Sequence, residues 1–260
     1  MSKPKVAFFD FTSCEGCQLS KLNLEDDILG ILDLVEIVNF REAISDRRDD
    51  YDIAFIEGSI STPHCVERIH AIRRQASVLV ALGACAHTGG VNAIRNRMNI
   101  DAVKEEVYGK DKYLFPSIKA QAVSDVVKVD YVVPGCPMDN RELKRVLSAM
   151  LTGKQYALPD YAVCRECKAR ENECLYDGDG EARAALPGTA CMGPITRAGR
   201  DAACPSNGRA CVGCRGVVPD VNVHAARDVM EKHKLSLHQI RNRFQMFNAA
   251  TVRLEERGDE

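Results

Sequence analysis

The chemistry-bearing residues of this chain are its cysteines, twelve in 260 residues. Cys14 and Cys17 stand two residues apart in "VAFFDFTSCEGCQLSKL", where an apolar run gives way to apolar residues at helical spacing. A buried strand feeding a C-x-x-C turn at a helix start is a place to hold something with thiolates. Backbone N–H groups there favour bound negative charge, which a thiolate-ligated cluster carries. Alone, the motif also fits a thioredoxin-like redox pair or half a zinc site. Cys85 in "GACAHTGG" and Cys136 in "PGCPMDN" each follow another apolar run. Seven more, Cys164, Cys167, Cys174, Cys191, Cys204, Cys211 and Cys214, crowd one stretch rich in Gly, Pro and Arg. In a cytosolic chain such numbers point to metal or redox chemistry rather than disulfides.

These thiols need a scaffold, and residues 1–155 alternate strand and helix patterns. The expected strands are Lys5–Phe11, Leu34–Phe40, Ile53–Glu57, Ser77–Leu82 and Lys128–Val133. The expected helices include Gln18–Leu32, Pro63–Ala76, Val91–Met98 and Asn140–Leu151. Thr62 is placed to cap the second, with Pro63 in its first turn and Glu67 near the capping-box position. Charged residues make 40–50 a solvated connection. Five strands joined by crossovers predict an α/β, flavodoxin-like parallel sheet, with the strand order left open.

Ligands of open α/β sheets bind beyond the carboxyl ends of the strands. Cys14, Cys17, Cys85 and Cys136 are therefore delivered to one edge, and Gly16, Gly83 and Gly135 beside them allow close backbone approach. Four thiolates converging from separate loops make a tetrahedral sulfur site, for zinc or iron–sulfur. Cys65, inside an amphipathic helix, is expected to pack instead.

A linker, "GKQYALPDYAV", opens a second domain at 156–260. Its C-x2-C-x6-C run from Cys164, the C-x2-C at Cys211 and the Cys204–Pro205 step resemble ferredoxin-type ligation. Zinc ribbons use paired C-x2-C knuckles, which these spacings fit poorly. Poor in apolar periodicity, the stretch is predicted not to fold on its own apolar contacts and to be organised by metal. Two amphipathic helices should follow, one from near Asn222 and one capped by Ser236. In the latter Leu237, Ile240, Phe244, Phe247, Thr251 and Leu254 fall at helical spacing for packing on the body or a partner.

Hydrophobic residues at 45%, charged residues at 28% and a net charge of −2 describe an ordinary soluble globular protein. That charge gives no electrostatic reason for nucleic acid or an anionic membrane. No apolar run reaches membrane-spanning length. The start "MSKPKVAFFDF" has no apolar signal core and no twin arginine, so a cytoplasmic chain is expected.

The ordered set "CEGC", "EGSI", "GACAHTGG", "PGCP" and "CMGPITRAG…CPSNGRACVGC" closely resembles the small, electron-transfer subunit of cytoplasmic nickel–iron hydrogenases. The likeness extends to about Pro219, and is strongest to the methanogen type that does not reduce the deazaflavin cofactor and to the sulfhydrogenases. It implies a proximal 4Fe–4S cluster on Cys14, Cys17, Cys85 and Cys136. It further implies one cluster on Cys164, Cys167, Cys174 and Cys191, and another on Cys204, Cys211 and Cys214. The family's "TRAGC" cysteine is replaced by Arg200, so the third cluster is 3Fe–4S, or is completed by Asp201, a water or a partner residue. The nickel–iron site would lie on a partner large subunit, and electrons would leave to an iron–sulfur or flavin acceptor such as a heterodisulfide reductase complex. Glu15, Glu57 and His87, beside the proximal edge, line the subunit contact, help proton movement or satisfy loop backbone. The related quinone-reducing-complex subunit characteristically uses two adjacent cysteines and lacks the second domain. A wire for a non-hydrogenase partner and a zinc-stabilised scaffold are the other readings.

Overall fold

The computed structural model describes residues 3–22, 30, 33–45, 47–176 and 190–252. Five parallel strands, β1 (Lys5–Asp10), β2 (Glu36–Phe40), β3 (Ile53–Glu57), β4 (Val78–Leu82) and β5 (Tyr131–Val133), pair in the order β2-β1-β3-β4-β5. This is the flavodoxin-like order, in which the crevice for a ligand opens where β1 meets β3. Alternate residues of each strand face opposite sides. Ala7, Phe9, Ala54, Ile56, Leu79 and Ala81 enter one core with Ile69 and Ile72, while Val6, Phe55, Val80 and Leu82 enter another with Leu143, Val146 and Leu147.

All the strands but β3 are shorter than their apolar runs. β5 starts at Tyr131 rather than Lys128 because Asp130 is taken by β4. Its backbone N–H donates to Leu79 O at 2.9 Å, and its carboxylate accepts from Leu79 N at 2.9 Å and from Arg73 at 2.6 Å. β2 starts at Glu36, leaving Leu34 exposed.

Helix α1 (Gly16–Leu22) begins inside the C-x-x-C turn. Most of its expected continuation to Leu32 lies outside the described residues. Helix α2 (Pro63–Gln75) is capped by Thr62, whose Oγ1 accepts from Cys65 N at 3.1 Å. Cys65 thus holds the third helical position and Glu67 lies beyond it, so only the Thr62 half of the expected capping box forms. Cys65 also packs on the core, as expected. Thr62→Ala should cost about 1 kcal/mol, read as a lower denaturation midpoint with an unchanged slope.

Two differences follow β4. The residues after it form helix α3 (Gly83–Thr88). The helix expected over Val91–Met98 is instead a 3-10 run, Gly90–Arg97. Its polar side chains are drawn outward to neighbouring loops: Asn92 Nδ2 donates to Thr12 O at 2.8 Å, Arg95 to Ile118 O at 3.0 Å, and Asn96 Nδ2 to Ala120 O at 2.7 Å. Helix α4 (Ile100–Tyr108), capped by Asn99, buries no residue. Helix α5 (Asn140–Leu151) is capped by Asp139, which accepts from Arg141 N at 3.0 Å and Glu142 N at 3.1 Å.

The chain divides into two compact units, Met1–Ala157 and Leu158–Glu260. The second carries α6 (Val163–Ala169), α7 (Ala203–Ser206), α8 (Val223–Lys232) and α9 (Leu237–Asn248). Ser236 and Gln239 form a capping box on α9. Thr251 lies past its end, and Leu254 lies outside the described residues. Much of the apolar packing of the cysteine-rich stretch is supplied from outside it, by the terminal helices. Ala190, Met192 and Ile195 pack with Ala226 and Met230 of α8 and with Ile240 and Phe244 of α9. The partners arrive from distant sequence, which a local pattern does not reveal. Among the described residues no helix is long and apolar enough to cross a membrane.

Candidate metal centres

The first centre lies at the carboxyl edge of the sheet. Cys14 and Cys17 follow β1, Cys85 sits on α3 after β4, and Cys136 follows β5. Cys17 is buried, Cys85 partly buried, and Cys14 and Cys136 exposed. Three chain segments close on Cys17. Met138 N donates to its Sγ at 3.4 Å, and Ala84 N ties α3 to Gly135 O at 2.7 Å. Gly83 has φ +77°, and a Cβ there would stand 2.3 Å from Cys17 Sγ. Backbone this close to sulfur, in a conformation L side chains rarely adopt, is a cradle that only glycine permits.

The thiols feel one another. Burial pushes the Cys85 thiol up to about 12, and Cys136, Cys14 and Glu57 push the same way. Cys14, Cys85 and Cys136 therefore lie within electrostatic reach of one another, where a cation-containing group relieves their repulsion, and Cys17 joins them through the Gly83 contact.

Glu57 ends β3 and is buried. Its two carboxylate oxygens accept from Cys17 N at 3.0 Å and Gln18 N at 2.8 Å. It satisfies the free N–H groups of α1, the backbone role among the three considered for it. Glu15, at φ 61°, pairs with Arg41, which also binds Asp10 at 3.2 Å. His87 lies in the last turn of α3.

In the second unit, Cys164 and Cys167 lie on α6. A Cβ on Gly193 would stand 3.4 Å from both Cys164 Sγ and Cys191 Sγ. Burial pushes the Cys164 thiol up to about 11, with Cys191, Cys167 and Cys174 adding to it. These four are thus brought together. Tyr176 fixes the Cys191 backbone, its hydroxyl donating to Cys191 O at 3.0 Å and lying 2.8 Å from Cys191 N.

Burial pushes the Cys211 thiol up to about 12, with Cys191 and then Cys214 acting the same way, against the N–H of Gly213 and the hydroxyl of Thr196. Cys211 N also donates to Cys191 Sγ at 3.4 Å. Cys204, on α7, is tied to the approach of Cys211 through Arg209 N, which donates to its carbonyl at 2.9 Å. Glu166, inside the C-x-x-C of α6, accepts from Gly199 N at 2.7 Å and Ala202 N at 2.9 Å. It thereby brackets Arg200 and Asp201, where the hydrogenase pattern has its missing cysteine. Asp201, at φ 51°, is half exposed and pairs with Arg170 at 3.1 Å.

Among the described residues no group of three or more His, Cys, Asp or Glu side chains is arranged to hold a single metal ion. The all-thiol donor sets, the glycine cradle at Cys17 and the N–H donors aimed at Cys17 and Cys191 suit iron–sulfur clusters. Sequence reading missed the clamping role of Glu166. Its signal is a carboxylate placed inside a C-x-x-C pair.

A flavodoxin-like sheet presenting thiols beyond its strand ends, joined to a cysteine-rich unit, defines an iron–sulfur electron-transfer protein. Residues 14–150 match the family model described as "NADH ubiquinone oxidoreductase, 20 Kd subunit". The sulfhydrogenase 2 subunit delta of Pyrococcus furiosus is 36% identical over 229 residues, 88% of this chain and 92% of that protein. An F420-non-reducing hydrogenase subunit of Methanocaldococcus jannaschii is 32% identical over 235 residues, 82% of this chain and 81% of that protein. A chain in the crystal structure of an NAD+-reducing [NiFe]-hydrogenase in the H2-reduced state superposes with TM-score 0.55 at 28% identity, covering 61% of this chain and 96% of that one. The chain belongs to this 20 kDa-subunit family and, within it, to the small subunits of nickel–iron hydrogenases.

Proposed function

We propose that the chain carries electrons between a nickel–iron large subunit, where dihydrogen is oxidised, and an acceptor protein in the cytoplasm, through three iron–sulfur clusters. The observation that supports it most is the convergence of Cys14, Cys17, Cys85 and Cys136 on one sheet edge, around a cradle formed by Gly83. Those four thiolates hold the proximal cluster, Cys164, Cys167, Cys174 and Cys191 hold a second 4Fe–4S cluster, and Cys204, Cys211 and Cys214 supply three ligands to the third.

When bound, the clusters supply reversible one-electron storage. The protein's own part is to bind and insulate. Glu57 fixes the C-x-x-C turn, Met138 N donates to a ligand sulfur, and the buried faces of Cys17, Cys191 and Cys211 limit access of water. These are the means by which protein surroundings set cluster potentials. Asp201 is the candidate fourth ligand of the third cluster only if it leaves Arg170, because a carboxylate in a surface ion pair is not free to coordinate. The acceptor we favour is an iron–sulfur or flavin protein of the heterodisulfide reductase kind, in keeping with the likeness to the methanogen subunit.

Anaerobic purification tests the reading. The expected material is brown, absorbs broadly near about 400 nm, holds about twelve irons, co-purifies with a nickel protein and reduces a dye with dihydrogen. A colourless zinc protein would overturn the cluster assignment. An iron-loaded chain whose partner lacks nickel would leave the clusters standing and overturn the hydrogenase role.

A further inference from the structure

Gln18 follows Cys17 on α1 and is 1% exposed, yet neither its Oε1 nor its Nε2 has a hydrogen-bond partner. Both ends of the amide are stranded, so either orientation leaves an N–H unmatched. Buried polar groups are nearly always paired, and an exception beside a ligand calls for a missing partner. The nearby polar groups are already engaged. Glu57 accepts the backbone N–H groups of Cys17 and Gln18, and Cys17 Sγ accepts from Met138 N.

We propose that Gln18 Nε2 donates a hydrogen bond to a sulfur of the proximal cluster and thereby raises the reduction potential of that centre. The inference rests on the cluster assignment above. A bound cluster brings acceptor sulfurs to the turn that Gln18 adjoins, and acceptors are what an unmatched N–H needs. Sulfur accepts without donating, so the cluster accounts for Nε2 and leaves Oε1 to an ordered water. The same reasoning sets apart Asn140, whose Nδ2 donates to Ser20 O at 3.0 Å while its Oδ1 is unmatched. An orphan acceptor gains nothing from a sulfide. A hydrogen bond to cluster sulfur stabilises the reduced, more negative state, and so raises the potential.

The test is an EPR redox titration of the full chain, isolated anaerobically with its clusters, as wild type, Gln18→Met and Gln18→Glu. The proximal signal is the one lost in Cys14→Ser. Gln18→Met removes the donor at similar volume. It should weaken reduction of that centre about tenfold, equivalent to 59 mV for one electron, and leave the other signals in place. Gln18→Glu should lower the potential further, because it replaces a donor with negative charge. With glutamine side chains labelled with nitrogen-15, the wild-type proximal signal should carry a nitrogen coupling that Gln18→Met abolishes. A fully loaded Gln18→Met chain with unmoved potential and coupling overturns the hydrogen bond. Should Gln18→Met fail to load, an unmoved or raised potential in Gln18→Glu does the same. A wild-type chain isolated without iron would instead overturn the cluster assignment.

Discussion

Gly83→Ala will lose the proximal centre and keep the iron of the second unit. The added Cβ would stand 2.3 Å from Cys17 Sγ and 3.3 Å from Gly135 O, at a backbone φ of +77°. Neither neighbour is the free end of a flexible side chain. Cys17 is buried in the core under the sheet, and its sulfur is tied to Met138 N. Relief would have to come from moving α3, which carries Cys85, or the loop that carries Cys136. Either movement spoils the four-thiol arrangement. Iron should fall by about four atoms per chain, and dihydrogen-driven dye reduction should drop to background. Gly153→Ala is the control, since φ there is +66° but nothing lies within 4 Å of the added carbon. It imposes backbone strain without a collision and should retain full iron. A Gly83→Ala chain with wild-type iron and an intact proximal EPR signal would mean that the cradle is looser than its geometry implies.

Phe244→Ala should damage the opposite end of the chain. Phe244 is 1% exposed on α9, in a core that includes Met192, Ile195, Met230 and Ile240 as well as Cys191 and Cys211. Truncating a buried phenyl ring costs ~3–5 kcal/mol through lost burial and the cavity left behind. A unit of this size responds with a fall in melting temperature of at least about 12 °C. Because two of the buried cysteines share that core, iron should leave the second unit first. Calorimetry combined with iron counting reads both effects, and the proximal signal should persist. An unchanged melting profile would show that bound metal, and not the terminal helices, holds this unit together.

The sheet was legible because its strands are nearly unbroken apolar runs. Ile53–Glu57 is buried at every position and was placed without error. Strand ends were harder, because Asp130 leaves the strand only by bonding to Leu79 and Arg73, and such partners are invisible in a local pattern. The run after Gly90 keeps an apolar rhythm, but Asn92, Arg95 and Asn96 spend their polar groups on distant loops and the backbone tightens to 3-10 form. Strand order was likewise closed to sequence reading, since it depends on crossovers rather than spacing. The edge where Cys14, Cys17, Cys85 and Cys136 meet followed from one general rule about where parallel strands point. What escaped notice was Glu166, a carboxylate that, like Glu57, braces its loop by working on main-chain N–H groups.

That choice of target insulates the turn from its own side chains. Glu57 grips positions 17 and 18 through peptide nitrogens, so the identity of the residue at 18 can change while the grip survives. Of the twenty amino acids only proline, which has no N–H to offer, would release it there. Position 18 can thus be changed without losing the Glu57 grip, within the limits its buried setting imposes, whereas Glu57 is bound to stay a carboxylate. Drift in the one leaves the socket's backbone clamp in place, and in the other it dismantles the socket.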